Sequence, residues 1–321
     1  MKRFVVAAVF ATMGFPVLAA DDLVIAPPEP DSLFLFSDTS VSFWHIFNAS
    51  EPGIGTDIQK NVITLSHFDV WDLGTNFVNV DFLWSDNHDP AAPWGGIDYP
   101  IPPEGIGVGA FEVYGLFRST LSWNSLFDTQ AFTFGPLKDV SFYFGADANT
   151  KNTAFAPEKF DIVLGTQFAF NLIGTGYLNV APVLYQEWNH NGIAAQLIDA
   201  GLCSPDVCSE EVTFDPTLGF ELNYEQPLGD LPLKVRGFTN VRLPKGLDGF
   251  GAETATEFHT ENRLVLDVGQ LVADKPGVFD AFVGHTYWQN KFGSNHEDDP
   301  TGGSTESSFF LGATLHSTLG S

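Results

Sequence analysis

Positive charge is scarce in this chain of 321 residues: 14 lysines and arginines stand against 40 aspartates and glutamates. Two of the 14, Lys2 and Arg3, lie in a leader-like segment; without them 12 remain and the formal net charge is −28. No basic surface is left to neutralise phosphates, which excludes a nucleic-acid partner. Long apolar runs are missing as well. After residue 20 nothing approaches the roughly 18 consecutive apolar residues of a membrane helix, so no helix is expected to span a bilayer. Cysteine is nearly absent. Cys203 and Cys208 are the only two, in the run Cys-Ser-Pro-Asp-Val-Cys. No further metal ligands surround them, and in an oxidising exported compartment they are expected to form one small structural disulfide. The acidic runs Ser85-Asp86-Asn87-His88-Asp89 and Asn295-His296-Glu297-Asp298-Asp299 lack EF-hand or other metal spacing. They read as solvated loops in preference to divalent-cation sites. Neither a metal nor any other cofactor is expected.

Residues 1–20 carry the features of a cleaved secretory signal. Lys2 and Arg3 are followed by an apolar run over 4–18, interrupted by Gly14 and Pro16, and by the small residues Ala19 and Ala20. That run is shorter than the ~20 residues a membrane anchor needs, and it ends at Asp21-Asp22. The expected organisation is therefore a signal over 1–20 and one mature unit over 21–321, with strands from about residue 40 to 318.

What the chain does have is apolar surface: 44% hydrophobic residues, 31 of them Phe, with only 17% charged. These residues recur with period two in segments of about ten, the length of a tilted strand crossing a bilayer. Val78, Val80, Phe82 and Trp84 alternate with Asn79 and Asp81. Phe117, Leu121 and Trp123 alternate with Arg118, Thr120 and Ser122, and Phe142 and Phe144 with Tyr143 and Gly145. Downstream, Phe160, Ile162 and Leu164 oppose Asp161; Leu184 and Trp188 oppose Tyr185 and Glu187; Leu218 and Phe220 oppose Glu221. Val235 and Val241 oppose Lys234, Arg236, Phe238 and Arg242; Leu264 and Leu266 oppose Glu261, Arg263 and Asp267. In the next segment Phe282 and Trp288 are read as apolar against His285, Tyr287 and Gln289. Phe309, Leu311 and Leu315 close the series. Two weaker segments, 41–47 and 62–71, bring the count to about twelve, with the phase of His45 and His67 open.

A soluble β-sandwich also alternates, but its core would have to hold Asp, Glu and Arg on nearly every strand. A lipid-facing exterior around a wet lumen accounts for both faces. The fold expected is thus all-β: a transmembrane antiparallel up-and-down β-barrel of about 12 strands, with short periplasmic turns and long external loops. The connection over 124–138 is longer than such turns usually are, and 193–200 fits a short helix near the cysteines. On the polar phase, Tyr114, Arg118, Tyr143, Tyr185, Arg236, Phe238, Arg263 and Tyr287 are the candidates for lining a lumen and contacting a solute. The same rings also serve to fill a small lumen, and the same charges to stiffen it through ion pairs.

Three segments carry a family resemblance: Phe134-Gly135-Pro136-Leu137-Lys138-Asp139 leading into a strand, Gly237-Phe238-Thr239-Asn240 in a later strand, and the early hairpin over 65–83. With the twelve-strand plan, they make the chain resemble the nucleoside-specific, Tsx-type outer-membrane channels. The resemblance implies a narrow barrel with nucleoside sites built from aromatic and ionisable lumen residues. None of the family's binding residues is carried over by position. One departure concerns the end, Leu319-Gly320-Ser321, where many such barrels carry a terminal aromatic. It leaves the register of the last strand open.

The expected function is a channel in the outer membrane of a Gram-negative bacterium, passing small polar solutes passively, with nucleosides the class the resemblance implies. It would work as a monomer or small homo-oligomer among outer-membrane lipids. The alternatives are a general porin, a surface adhesin and a lipid hydrolase. Serine hydrolysis needs a base within reach of the hydroxyl, and none of the eight histidines begins a His-x-Ser pair. The chain is therefore read as a non-enzyme.

Overall fold

A computed structural model describes residues 33–92, 109–153 and 157–319. The segment read as a signal lies outside the described residues. The elements, in chain order, are strands β1 (Phe36–Ala49), β2 (Ile58–Trp71), β3 (Gly74–Ser85) and β4 (Phe111–Ser122), helix α1 (Trp123–Leu126), and strands β5 (Leu137–Lys151), β6 (Pro157–Asn171) and β7 (Tyr177–Asn191). Helix α2 (Gly192–Asp199) and the short strand β8 (Glu211–Thr213) follow. Then come β9 (Thr217–Pro227), β10 (Leu233–Arg242), β11 (Glu257–Asp267), helix α3 (Val268–Ala273), β12 (Phe279–Gln289) and β13 (Thr305–Leu319).

Twelve long strands pair antiparallel, each with the next, and β13 returns to β1 over the register Ser37↔Leu319 to Ile46↔Phe310. β8 is an appendage on the upper end of β7. Closure leaves neither β1 nor β13 as an open sheet edge. The register left open at the last strand is settled by this pairing, since Leu319 itself is in the ladder. At the end where β1 begins and β13 finishes the connections are mostly short. One is closed by Gly174, at φ 67, a left-handed turn position that glycine occupies without strain. At the far end run the long connections 86–110, 192–216, 243–256 and 290–304.

The period-two pattern sorts the side chains. Phe43, Leu164, Leu184, Leu218, Val283 and Phe309 are each more than half exposed on the outer wall, while Asp161, Glu187 and Glu221 of the same sheet are buried inside. His45 and His67, whose phase was open, both stand on the outer phase with Phe43 and Leu65.

The long connection after β4 also finds its physical reason. Ser122 caps α1 through Ser125 N, and Trp123 packs edge-on against Phe132 and Phe142 at 5.1 and 5.4 Å. The connection folds back along the outer wall, leaving an apolar groove of about 470 Å³ bounded by Phe132, Phe134, Phe168 and Phe170. Phe127 and Phe134 stay exposed at this rim. Aromatic residues at such a level are what a membrane interface favours.

Cys203 and Cys208 are joined by a disulfide, with their Cα atoms 6.0 Å apart. Beside them lies α2, Gly192–Asp199, the short helix expected over 193–200.

Candidate functional site

The lumen gathers the cations. Of the twelve lysines and arginines after residue 20, eight lie on strands with lumen phase, and Lys245 and Lys291 reach in from far-end connections. Only Lys138 and Lys275 of the twelve stand outside, exposed at the end where β1 begins and β13 finishes. Among the described residues most of the acid excess therefore sits on the loops, while inside the barrel the two signs are interleaved.

The largest network crosses the lumen. Arg118 on β4 meets Glu221 on β9 through two parallel bonds, Nε to Oε2 at 2.8 Å and Nη2 to Oε1 at 2.9 Å. It also pairs with Asp147 on the neighbouring β5. Arg242 on β10 and the hydroxyl of Tyr143 both donate to the same Glu221. The Arg242 guanidinium lies 4.7 Å from the centre of the Tyr185 ring, and the Tyr185 hydroxyl donates to Glu187, which also holds Lys245. Tyr114 donates to Asp147 at 2.9 Å. Such fork-to-carboxylate geometry is the strong form of the ion pair.

Two glycines make room for it. A Cβ on Gly145, the cross-strand partner of Arg118, would lie 2.2 Å from Phe117 O and 2.6 Å from Arg118 Cδ. One on Gly219, facing Arg242, would lie 2.7 Å from Val241 O and 3.0 Å from Arg242 Nη1. Each arginine lies flat over a residue that has no side chain.

The opposite wall carries an apolar cluster among its polar groups, which alternation did not anticipate. Trp44, Ile46, Val62, Val265, Phe282 and Phe310 form a buried cluster inside the barrel. Arg263 is seated among it, its guanidinium 5.0 Å from the Trp44 ring, 4.7 Å from Phe282 and 5.3 Å from Phe310. Its Nε bonds to Glu261 at 2.6 Å. Stacked arginine over aromatic faces is favourable and holds the guanidinium in place.

This cluster corrects the phase of β12. Phe282 and Trp288 point inward; Trp288 stacks on His259 with centroids 4.1 Å apart. His285, Tyr287 and Gln289 point outward. Both phases of β12 carry large rings, so its own alternation is ambiguous. The neighbours decide: Phe282 fits over Gly312, where a Cβ would sit 2.5 Å from its ring.

Of the eight candidates, the structure places Tyr114, Arg118, Tyr143, Tyr185, Arg236, Phe238 and Arg263 on the lumen phase. Tyr287 is on the outer wall beside Phe258, ring centres 6.2 Å apart, so its expected lumen position is corrected. Tyr143 and Tyr185 are 5% and 3% exposed, packed within the ion-pair network. Phe238 is half-buried, edge-on to His259 at 5.0 Å. Asp267, expected to face inward, instead caps α3 and accepts from Gln270 N and Gly277 N.

At the far end a second cluster binds loops to wall. Lys60 and Lys291 bracket Glu51 at 2.8 and 3.5 Å, and Lys291 also holds Glu306 at 2.6 Å. Burial alone would raise the Glu51 carboxyl, but Lys291, Lys60 and Lys151 outweigh it and hold it well below the ordinary carboxylate range. The two acidic runs read as solvated are in part structural: Asp89 is buried beside Lys151 at 3.7 Å, and Asp299 collects bonds from Gly53, Thr301 and Ser304. Among the described residues, no three His, Cys, Asp or Glu side chains are grouped so as to hold a metal ion.

One contact could not be read along the chain. On the outer wall His285 Nε2 lies 3.0 Å from Ser307 Oγ, joining adjacent strands. His285 borders an apolar groove of about 480 Å³ with Phe47, Val235, Leu264 and Phe309.

No family model matches the chain, and no curated protein sequence matches it. Solved structures similar to it are bacterial barrels. The COG4313 outer membrane channel from Pseudomonas putida F1 superposes with a TM-score of 0.44 at 11% identity, covering 92% of this chain and 100% of that one. The KdgM porin in complex with disordered oligogalacturonate gives 0.40 at 6% identity, over 86% and 98%. The translocator domain of the autotransporter NalP from Neisseria meningitidis gives 0.40 at 10%, over 89% and 90%.

Proposed function

We propose that the chain is an outer-membrane channel of a Gram-negative bacterium that passes small polar solutes by passive diffusion. One observation carries this reading: a closed barrel whose outer wall is apolar encloses ten of the twelve cations that follow residue 20, interleaved with carboxylates. An apolar exterior is stable against lipid, and ionised walls need water or a polar solute between them. The Arg118–Glu221 bridge spans part of the lumen, so the passage beside it is narrow and selects small solutes.

The finer reading is nucleoside passage. It rests on the family resemblance and on the lumen aromatics left partly open, Tyr114 and Phe238, which offer ring faces and edges to a planar base. The refolded protein in a planar bilayer should show stepwise conductance, reduced by adenosine or thymidine. Conductance indifferent to nucleosides, amino acids and sugars would leave a general porin. A correctly folded barrel without conductance would sink the channel reading.

The His285–Ser307 contact favours a second reading, hydrolysis of a lipid ester at the outer wall. Ser307 Oγ would add to the ester carbonyl while its proton passes to His285 Nε2, which returns it to the departing alcohol; water then releases the acyl group. A fluorophosphonate probe should label Ser307 in detergent-refolded protein and fail on Ser307→Ala. Unlabelled wild-type protein removes this reading.

A further inference from the structure

Nine of the ten lumen cations hold an ion pair. Lys60, Arg118, Lys151, Lys159, Lys234, Arg242, Lys245, Arg263 and Lys291 each lie within 4.0 Å of a carboxylate oxygen. Arg236 is the tenth. Among the described residues it has neither a hydrogen bond nor an ion pair, although it is half-buried on the lumen phase of β10.

Its cross-strand partners are Glu225 on β9, with which it makes no hydrogen bond or ion pair, and Arg263 on β11. Like charges directly opposite on one face of an antiparallel pair repel, and a partly buried guanidinium that feels Glu225 and Asp280 only at a distance, with no hydrogen bond or ion pair of its own, is incompletely compensated. Arg263 is not free to swing away, because its stem is fixed by Glu261 at Nε and by the rings of Trp44, Phe282 and Phe310. Its two terminal amino groups are left without a protein partner among the described residues. The carboxylates that flank Arg236 are engaged elsewhere: Lys234 lies 3.5 Å from Glu225 and 3.6 Å from Asp280, and His316 lies 3.5 Å from Asp280. Two adjacent guanidinium groups thus present unused N–H forks into the lumen. That geometry matches the oxygens of a carboxylate or phosphate, which would accept from both and relieve their repulsion.

We infer that Arg236 and Arg263 form an oxyanion-binding station inside the barrel, so that the solutes it favours carry a carboxylate or phosphate group. The station rests on the general channel reading for its role in transport and is independent of nucleoside passage, since a nucleoside carries neither group; binding itself does not require conduction. It also sets the inner wall apart from the acidic loops at the far end, which repel the same solutes. Arg236 selects the solute; Arg263 is its positioned partner.

Two measurements on the full-length mature protein, refolded in a neutral detergent, separate the station from the channel. Isothermal titration with inorganic phosphate should give saturable binding, weakened at least tenfold by Arg236→Gln and less by Arg236→Lys, which keeps the charge but loses the fork. In a planar bilayer with a potassium chloride gradient, Arg236→Gln should shift the reversal potential toward cation preference. Arg236→Gln removes one charge at a half-buried position, and folding of the variant is checked by heat-modified electrophoretic mobility. Phosphate binding without conductance would leave the station standing and end the channel reading. Conductance with no phosphate binding, or with binding and reversal potential unchanged in Arg236→Gln, would overturn the station and leave the channel intact.

Discussion

Arg118 and Glu221, 103 residues apart in sequence, are joined by two parallel hydrogen bonds across the inside of the barrel. Three strands intervene between β4 and β9 along the wall, so the pair acts as a strut. Both side chains are 8% and 7% exposed. Removing one partner leaves the other buried and uncompensated, at a cost of roughly 3–5 kcal/mol, whereas removing both costs less. Arg118→Met and Glu221→Gln should each lower the urea midpoint of the refolded barrel, and the double variant should recover part of the loss. Full additivity of the two effects would show that the strut does not couple the walls.

Gly145 supplies the lane in which Arg118 lies. Gly145→Ala places a Cβ against Phe117 O and the Arg118 stem, an overpacking that costs roughly 1–3 kcal/mol. Gly115→Ala is the control. It lies in the adjacent strand β4, and its Cβ would meet only Ala148 O, at 3.9 Å. Thermal unfolding in detergent should separate the two variants clearly, and equal midpoints would mean that Arg118 relocates freely.

The inverted phase of β12 is open to a labelling test. With Cys203 and Cys208 bonded to each other there is no competing free thiol. In liposomes, a charged thiol reagent should modify Phe238→Cys, which faces the lumen, and spare Tyr287→Cys, which faces lipid. Rapid modification of Tyr287→Cys alone would return Tyr287 to the lumen.

Asp299 ties two far-end loops together through Gly53 N at 3.2 Å and Ser304 N at 2.8 Å. Burial alone would raise its pKa, but hydrogen bonds from Ser304, Thr301 and Gly53 outweigh that and lower it. A carboxylate whose folded pKa lies below its unfolded one contributes order that is complete above the ordinary range and lost as pH falls through the folded value. Hydrogen exchange at the amides of Gly53 and Ser304 should therefore be slow near neutrality and quicken on acidification below about pH 4, after correction for intrinsic rates. In Asp299→Asn it should be fast throughout; a wild-type rate there would show that the charge is not what holds the loops.

What the sequence determined by itself was the wall. Alternation in β4 to β7 and in β9 assigned outer and inner faces correctly, because on those strands one phase is uniformly apolar and the other carries charge or hydroxyls. The scarcity of long apolar runs and the even strand count led to a closed barrel for the same local reason: a strand's faces are set by its own residues. Where both phases carry rings, as on β12 with Phe282 and Tyr287, that local rule has no preference. The facing Gly312 and the lumen cluster around Trp44 then decide. Contacts across the lumen and between strands, Arg118 with Glu221, Arg236 opposite Arg263, His285 beside Ser307, follow from closure and register. Both are properties of the whole sheet, and no window of sequence contains them. Only the tertiary structure could therefore show which lumen cations hold an ion pair and which one, Arg236, does not.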